Sequence, residues 1–382
     1  MPAPYFLIDA DALKRNLQLL RSVMDETGCR ILLAQKCFSC YGLYPFMSRY
    51  LSGATASGLF EARLCHEEWP GGENHIFSPA YREEDMDEIL RLCDHIVFNS
   101  PSQYARFADR ARQAGLQVGL RINPECSTQE ASHAIYDPCA PGSRLGTTLM
   151  GVLQHSELFR NGPDGLHFHT LCEQDSNDLD VTLTAVEEKF GFLLPELHWI
   201  NFGGGHHITR PGYNLDLLKD CILRMQRKYG LAVYLEPGEA VALNAGELHC
   251  HILEIQSPGT DGIRNVIVDT SAACHMPDVL EMPYTPPLMH AAALSSIDCS
   301  PADGTVYRLG GPTCLSGDII GTYRFDHELQ EDEELVFQDM AIYSMVKTNT
   351  FNGMPLPDIM IRENGSTRLW KRFGYSDFKS RV

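Results

Sequence analysis

Arg30-Ile31-Leu32-Leu33-Ala34-Gln35-Lys36 decides how the chain is read. Four apolar or small residues run almost directly into a lysine, the pattern of a buried strand that ends on an ionisable group. Upstream, Asp11–Met24 sets Leu13, Leu17 and Leu20 on one helical face behind Asp9 or Asp11 as N-cap. Downstream the same alternation recurs. Strands are expected at Arg30–Ala34, Gly53–Ala56, His75–Phe77, His95–Phe98, Gln117–Ile122, Leu166–Thr170, Trp199–Phe202 and Ala232–Glu236. Helices are expected at Phe38–Leu51, Leu59–Glu67, Arg82–Leu92, Ser102–Gln113, Asp180–Phe190 and Leu215–Tyr229. Repeated β/α alternation means a parallel sheet. About eight such units predict a closed, TIM-like, eight-stranded α/β barrel over residues 10–240.

After residue 240 the texture changes. Gly246–Gln256, Asn265–Thr270, Gly304–Leu309, Asp318–Tyr323 and Glu334–Asp339 read as strands joined by Gly, Pro and Asp turns. Helical period is nearly absent, and Met282–Pro287 reads as a loop. Residues 241–382, with the N-terminal strand 1–9, are therefore expected to form a C-terminal β-rich domain, sandwich-like or barrel-like.

The 382 residues are 44% hydrophobic and 21% charged, the mix of a globular enzyme. A formal charge of -19 repels phosphate backbones, so nucleic acid and anionic membrane surfaces are poor partners and polycations better ones. No stretch approaches the ~18 apolar residues of a membrane span, and the start lacks a secretory pattern. Thirteen cysteines without such a signal imply a reducing compartment, the cytoplasm. Their one CxxC, Cys37–Cys40, has no second pair to complete a zinc site, so no metal is expected.

Five constellations carry chemistry. Lys36, half desolvated at a strand end, has the lowered pKa that a Schiff-base amine needs, although a strand-end lysine is more often a solvated edge residue. Gly203-Gly204-Gly205 lets backbone N–H groups approach one spot, as a phosphate requires, and is not the dinucleotide pattern. Glu236, in Glu236-Pro237-Gly238, is a carboxylate at a strand end that needs a cationic partner. His167 and His169, in HFHTLCE, alternate on a strand and share a face from which one could stack on a flat ring. Cys314, in Gly311–Asp318, sits in a polar turn open enough to act as acid or base.

Taken in order, Lys36, HFH, GGG, EPG, GPTC and Asp339–Tyr343 resemble the fold-type III, alanine-racemase-like decarboxylases that use pyridoxal 5'-phosphate. The segments ILLAQKCFS, APGSRLG, HFHTLCE, INFGGGHH, YLEPGEA, CHMPDVLEMPY, GPTCLSGD and FNGM look like the branch acting on carboxynorspermidine or carboxyspermidine, over nearly the whole chain. The resemblance implies that Lys36 carries the cofactor, His169 stacks on its ring and Gly203, Gly204, Gly205 and Gly238 approach its phosphate. It implies that Glu236 pairs with the pyridine nitrogen, Tyr343 bonds the phosphate, Ser57 lies near the cofactor, and Cys314 reaches the partner's active site in a head-to-tail homodimer.

Two departures matter. Glu239 stands where ornithine-type enzymes have a phosphate-binding Arg, and Leu315 stands where ornithine and diaminopimelate enzymes carry an acid. Both turn the reading away from those substrates and toward a polyamine-like amino acid. Its distal amines need carboxylates, for which Glu173, Glu239, Asp278 and Glu281 are the candidates, Asp278 foremost. The alternatives are another basic-amino-acid decarboxylase (diaminopimelate, ornithine or arginine type), a racemase and a non-catalytic cofactor-binding barrel. A racemase would face the pyridine nitrogen with Arg, where Glu236 stands; a lone barrel would lack the domain that carries Cys314 and Tyr343.

Overall fold

The computed structural model describes residues 4–129, 136–159, 162–295 and 305–382. Two compact units divide the chain: Asn16–Val241, and Met1–Arg15 together with Ala242–Val382. The first strand, β1 (Tyr5–Asp9), belongs to the second unit. The helix after it, Ala10–Thr27, is capped by Asp9, whose Oδ1 accepts from the N–H groups of Asp11 and Ala12, each at 2.9 Å.

In the first unit eight parallel strands close into a barrel in chain order. They are β2 (Arg30–Ala34), β3 (Gly53–Ala56), β4 (Glu73–Phe77), β5 (His95–Phe98), β6 (Gln117–Arg121), β7 (Gly165–His167), β8 (Trp199–Asn201) and β9 (Ala232–Leu235). Closure comes where Arg30 and Ile31 of β2 pair with Tyr234 and Leu235 of β9. These strands are buried without alternation because both faces are covered, and polar residues such as Asn74, His75 and His95 are buried with the apolar ones. Helix starts follow local chemistry: Ser100 Oγ accepts from Gln103 N at 3.3 Å before Pro101–Gln113, and Asp175 with Asp178 forms a capping box before Ser176–Phe190.

The barrel interior holds rings. His75 and His95 stack at 3.9 Å and 10°, and the Trp199 ring lies 5.2 Å from His95. A Cβ on Gly165 would fall 2.0 Å from Trp199 Cδ2, so β7 must carry glycine for the indole to fit.

Two readings need correction here. Phe38–Leu51 is not one helix but a 3-10 turn, Tyr41–Leu43, and a four-residue helix, Tyr44–Met47. Pro45 lacks an N–H and can stand only in a helix's first turn, which fixes that start. Strand β7 also stops at His167, so His169 lies beyond it rather than two places along it.

The second unit is a mixed sheet of nine strands among the described residues. After β1 come β10 (Gly246–Ile255), β11 (Arg264–Val268), β12 (Ala291–Ala293), β13 (Val306–Gly310), β14 (Ile319–Phe325), β15 (Glu334–Gln338), β16 (Asp358–Glu363) and β17 (Ser366–Lys371). Their order is β12-β14-β13-β11-β10-β1-β16-β17, with β15 also paired to β10. β10 is long enough to serve twice. Gly246–His249 pair with β1, and Ile252–Ile255 pair with β11. Phe6, Leu248, Ile252, Val268, Tyr307 and Phe337 bury the core.

The sequence pattern missed β12, β16, β17 and three short helices, Ala272–His275, Asp278–Glu281 and Tyr375–Arg381. β12 is three alanines, and β17 is mostly exposed, so neither shows the alternation of a half-buried strand. Gly304 lies outside the described residues.

Candidate active site

A cavity opens among residues at and just past the strand C-termini of the barrel. Lys36, Ser57, Arg121, His167, His169 and Glu236 line it. Lys36 and His169 each stand two residues past a strand, and Glu236 one. Ser57 directly follows β3.

Lys36 is exposed by surface area because its side chain projects into the cavity, yet protein surrounds it closely enough to strip its hydration. That desolvation, joined by the Arg121 guanidinium, pulls its ammonium below the usual lysine range, while Glu236 pulls the other way. Glu236 is 7% exposed and opposes Lys36 in sign. Burial alone would raise its carboxyl; His167 and Asn201 outweigh burial and hold it down at about 2. Asn201 Nδ2 donates to Oε1 at 2.8 Å, and His167 Nε2 lies 3.2 Å from Oε2. Burial pushes both His167 and His169 below the ordinary histidine range, so both rings are neutral near pH 7. His167 therefore donates through Nε2–H, and its buried Nδ1 has no partner among the described residues.

The glycine run lies beside this cavity. Gly203 has φ +71°, and a Cβ there would meet Phe168 O at 2.3 Å. A Cβ on Gly205, at φ +82°, would meet Leu171 O at 1.9 Å. Only glycine fits. The Gly203 N–H donates to Asn201 Oδ1 at 2.9 Å, and the Gly204 N–H to His169 Nδ1 at 3.2 Å. The second bond fixes the His169 proton on Nε2. Gly238 serves a close approach of its own: a Cβ there would fall 2.4 Å from Cys37 Cβ, next to the Lys36 turn.

Sequence reasoning missed three contributors. Arg121 is 5% exposed, lies 4.6 Å from the Phe77 ring centroid and donates to His169 O at 3.2 Å; burial lowers it to about 10. Glu61 Oε2 accepts from Ser57 N at 2.6 Å, and burial raises its carboxyl. Asn201 braces both Glu236 and Gly203. The signal for Asn201 and Arg121 was their place at strand ends, where an expected apolar run turns polar.

Of the expected acids in this unit, Glu239 sits 3.8 Å from His207 Nε2, and Glu173 is exposed at φ +53°. Neither lines the cavity. Glu73, His75 and His95, and separately His167, His169 and Glu236, each bring three donor atoms within 4.8 Å. The His75 and His95 rings stack face to face, which sets their in-plane lone pairs side by side instead of converging on an ion, and Glu73 already pairs with Arg30.

The sheet unit, taken by itself, carries the other candidates outside its strands, on turns and on the short helix Asp278–Glu281. Cys314 is exposed, and its Sγ donates to Asn352 Oδ1 at 3.3 Å. Asp278 and Glu281 both pair with Lys347 Nζ. Two carboxylates against one ammonium leave that group one charge negative. Tyr343 takes φ +49°.

A lysine amine aimed into a barrel cavity, opposed by an ionised, buried glutamate and flanked by a glycine cradle, defines a nucleophilic-amine enzyme site. This donor set fits pyridoxal phosphate: an amine for an aldehyde and an anion for a pyridinium. The family model described as "Pyridoxal-dependent decarboxylase, C-terminal sheet domain" matches residues 11–341. The chain is 39% identical to a carboxyaminopropylagmatine decarboxylase of Synechocystis, covering 100% of this chain and 96% of that one. It is 38% identical to a carboxynorspermidine/carboxyspermidine decarboxylase of Campylobacter jejuni, covering 99% and 98%. The crystal structure of carboxynorspermidine decarboxylase from Campylobacter jejuni, complexed with norspermidine, matches at TM-score 0.90 and 36% identity over 100% of both chains. The chain belongs to the pyridoxal-dependent decarboxylase family and is a carboxy-lyase. Among the described residues no helix is long and apolar enough to cross a membrane.

Proposed function

We propose that the chain releases carbon dioxide from carboxynorspermidine or carboxyspermidine, forming norspermidine or spermidine, with pyridoxal 5'-phosphate bound in the barrel cavity. The observation that carries this is Lys36 projecting toward an ionised Glu236 inside one cavity. The relatives named for these substrates supply the substrate class.

Lys36 would hold the cofactor's aldehyde carbon, His169 its ring face, Glu236 its ring nitrogen, and Gly203–Gly205 with Tyr343 its phosphate. Ser57 and Gly238 would border it. When bound, the cofactor supplies an electron sink for the pair left by the Cα–carboxylate bond. Glu236 is kept as a carboxylate by His167 and Asn201, so it holds a proton on whatever basic nitrogen it meets. Lys36, with its proton affinity lowered by burial, gives up its proton more readily than an ordinary lysine. Cys314 would give Cα its proton from the partner subunit of a homodimer.

The substrate's distal ammonium groups would meet Asp278 and Glu281, whose net negative charge remains after Lys347 is counted, with Glu239 and Glu173 as further acids. The cysteines form no disulfide among the described residues, which favours a reducing compartment, the cytoplasm. Assays of carbon dioxide release from carboxynorspermidine, carboxyspermidine, carboxyaminopropylagmatine, ornithine and diaminopimelate test the reading. One of the first two should give the highest kcat/KM. Preference for carboxyaminopropylagmatine moves the substrate, and preference for ornithine or diaminopimelate overturns the assignment.

A further inference from the structure

We propose that Asn352 is a positioning residue that holds the Cys314 side chain in one orientation, an inference that rests on Cys314 being the proton donor. The Cys314 Sγ–Asn352 Oδ1 contact at 3.3 Å is of hydrogen-bond length for a thiol donor. The amide oxygen accepts the S–H proton, so the contact fixes the direction in which Sγ points.

Both partners are tied to the same short segment. On the Cys314 side, buried Asp318 accepts from Thr313 Oγ1 at 2.7 Å, from Ser271 Oγ at 2.8 Å and from Ala273 N at 3.1 Å. A Cβ on Gly311 would fall 2.3 Å from Asp318 Oδ2, so the turn closes tightly on that carboxylate. On the Asn352 side, Asn349 Nδ2 donates to Ala273 O at 2.7 Å, Asn349 N donates to Cys274 O at 2.9 Å, and Cys274 Sγ donates to Phe351 O at 3.6 Å. The loops bearing the thiol and its acceptor thus hang on one anchor, Ser271–Cys274. Asn352 itself takes φ +58°, a left-handed conformation that asparagine tolerates better than most residues. Residue type, backbone and anchoring agree on one function: presenting an oxygen to Sγ.

In the proton-transfer step the S–H bond breaks and its proton forms the new Cα–H bond. The S–H electron pair stays on Sγ, and solvent reprotonates the resulting thiolate. Asn352 keeps Sγ in place before that step and re-forms its contact after reprotonation.

The test uses the holoenzyme and two variants that keep the left-handed loop. Asn352→Gly removes the acceptor and Asn352→Asp replaces it with a carboxylate. Iodoacetamide labelling of Cys314, followed by mass spectrometry of its peptide, should quicken about threefold in Asn352→Gly and slow by about that factor in Asn352→Asp. A merely loosened loop would quicken both. Asn352→Gly should lose about tenfold in kcat with KM within about twofold, and the alkaline limb of kcat should move to higher pH in Asn352→Asp. Equal labelling in wild type and both variants, or faster labelling in both, overturns the proposal. Full activity in Cys314→Ala fails the underlying reading instead, and the labelling result stands apart from it.

Discussion

The barrel and the sheet unit handle ionisable groups in opposite ways. The barrel buries them: Glu236, Arg121, His75, His95, His167 and His206 are all less than a tenth exposed. Its candidate residues stand within two positions of a strand end, so rigid backbone aims them. The sheet unit carries Cys314, Asn352 and Glu281 exposed on turns and short helical segments and aims them through side-chain hydrogen bonds. Burial tunes charge strongly and fixes position; loop bonding fixes position with little desolvation. The barrel side should therefore dominate rate, and the loop side fine discrimination.

Four measurements can break or sharpen that contrast. The largest effect belongs to Lys36→Ala, which should lower kcat by about 10⁴-fold or more and remove the visible absorbance of the holoenzyme. A coloured, active variant would move the nucleophile elsewhere. Glu236→Gln keeps the shape and both neighbours but removes the charge that they hold in place. It should cost about 10²-fold in kcat with KM little changed; a loss confined to KM would make Glu236 a binding group only.

The third effect is on stability. Burial lowers His75 from 6.5 to about 4, so the folded barrel resists its protonation while the unfolded chain does not. His75 imposes no cost above about pH 6.5 and takes away up to roughly 3 kcal/mol as pH falls through that window toward 4. Urea midpoints between pH 7 and 4.5 should fall for the wild type and fall less steeply for His75→Gln. Parallel curves would assign the acid sensitivity to other groups.

The smallest effect is expected at Asp278. Lys347 already compensates half of that acidic pair. Asp278→Asn should raise KM for carboxynorspermidine about three- to tenfold, less than removal of an uncompensated buried partner would, and leave kcat within about twofold. An unchanged KM would leave Asp278 as a pin between two loops.

The same contrast governs what could be read from the sequence. The eight barrel strands were legible because parallel strands covered on both faces are continuous apolar runs between amphipathic helices, and Lys36, His169 and Glu236 announced themselves by ending such runs. The helix expected over Phe38–Leu51 failed because Pro45 outranked apolar spacing. Arg121 carried only the signal of a strand end, and Glu61 carried none. Their significance comes from the His169 carbonyl and the Ser57 amide, which lie far away or across a turn. In the sheet unit the exposed strands β12 and β17 carry no periodic signal, and Cys314, Asp278 and Tyr343 stood out only through resemblance. The Lys347 pairing of Asp278 and Glu281 joins positions more than sixty residues apart, beyond the reach of local pattern.

Strand β1 sets an order of events during synthesis. It lies between β10 and β16, with Tyr5 opposite His249 on one side and Asp358 on the other. Its neighbours thus leave a ribosome long after it, the second of them last. At about 5–20 residues per second, Tyr5-Phe6-Leu7-Ile8 waits roughly 20–70 s for its second neighbour. During that interval the segment offers an unpaired apolar edge, the feature from which strand aggregation begins. Every strand of the barrel emerges within the same wait, so the barrel can close while the sheet beside which the chain began still lacks its centre.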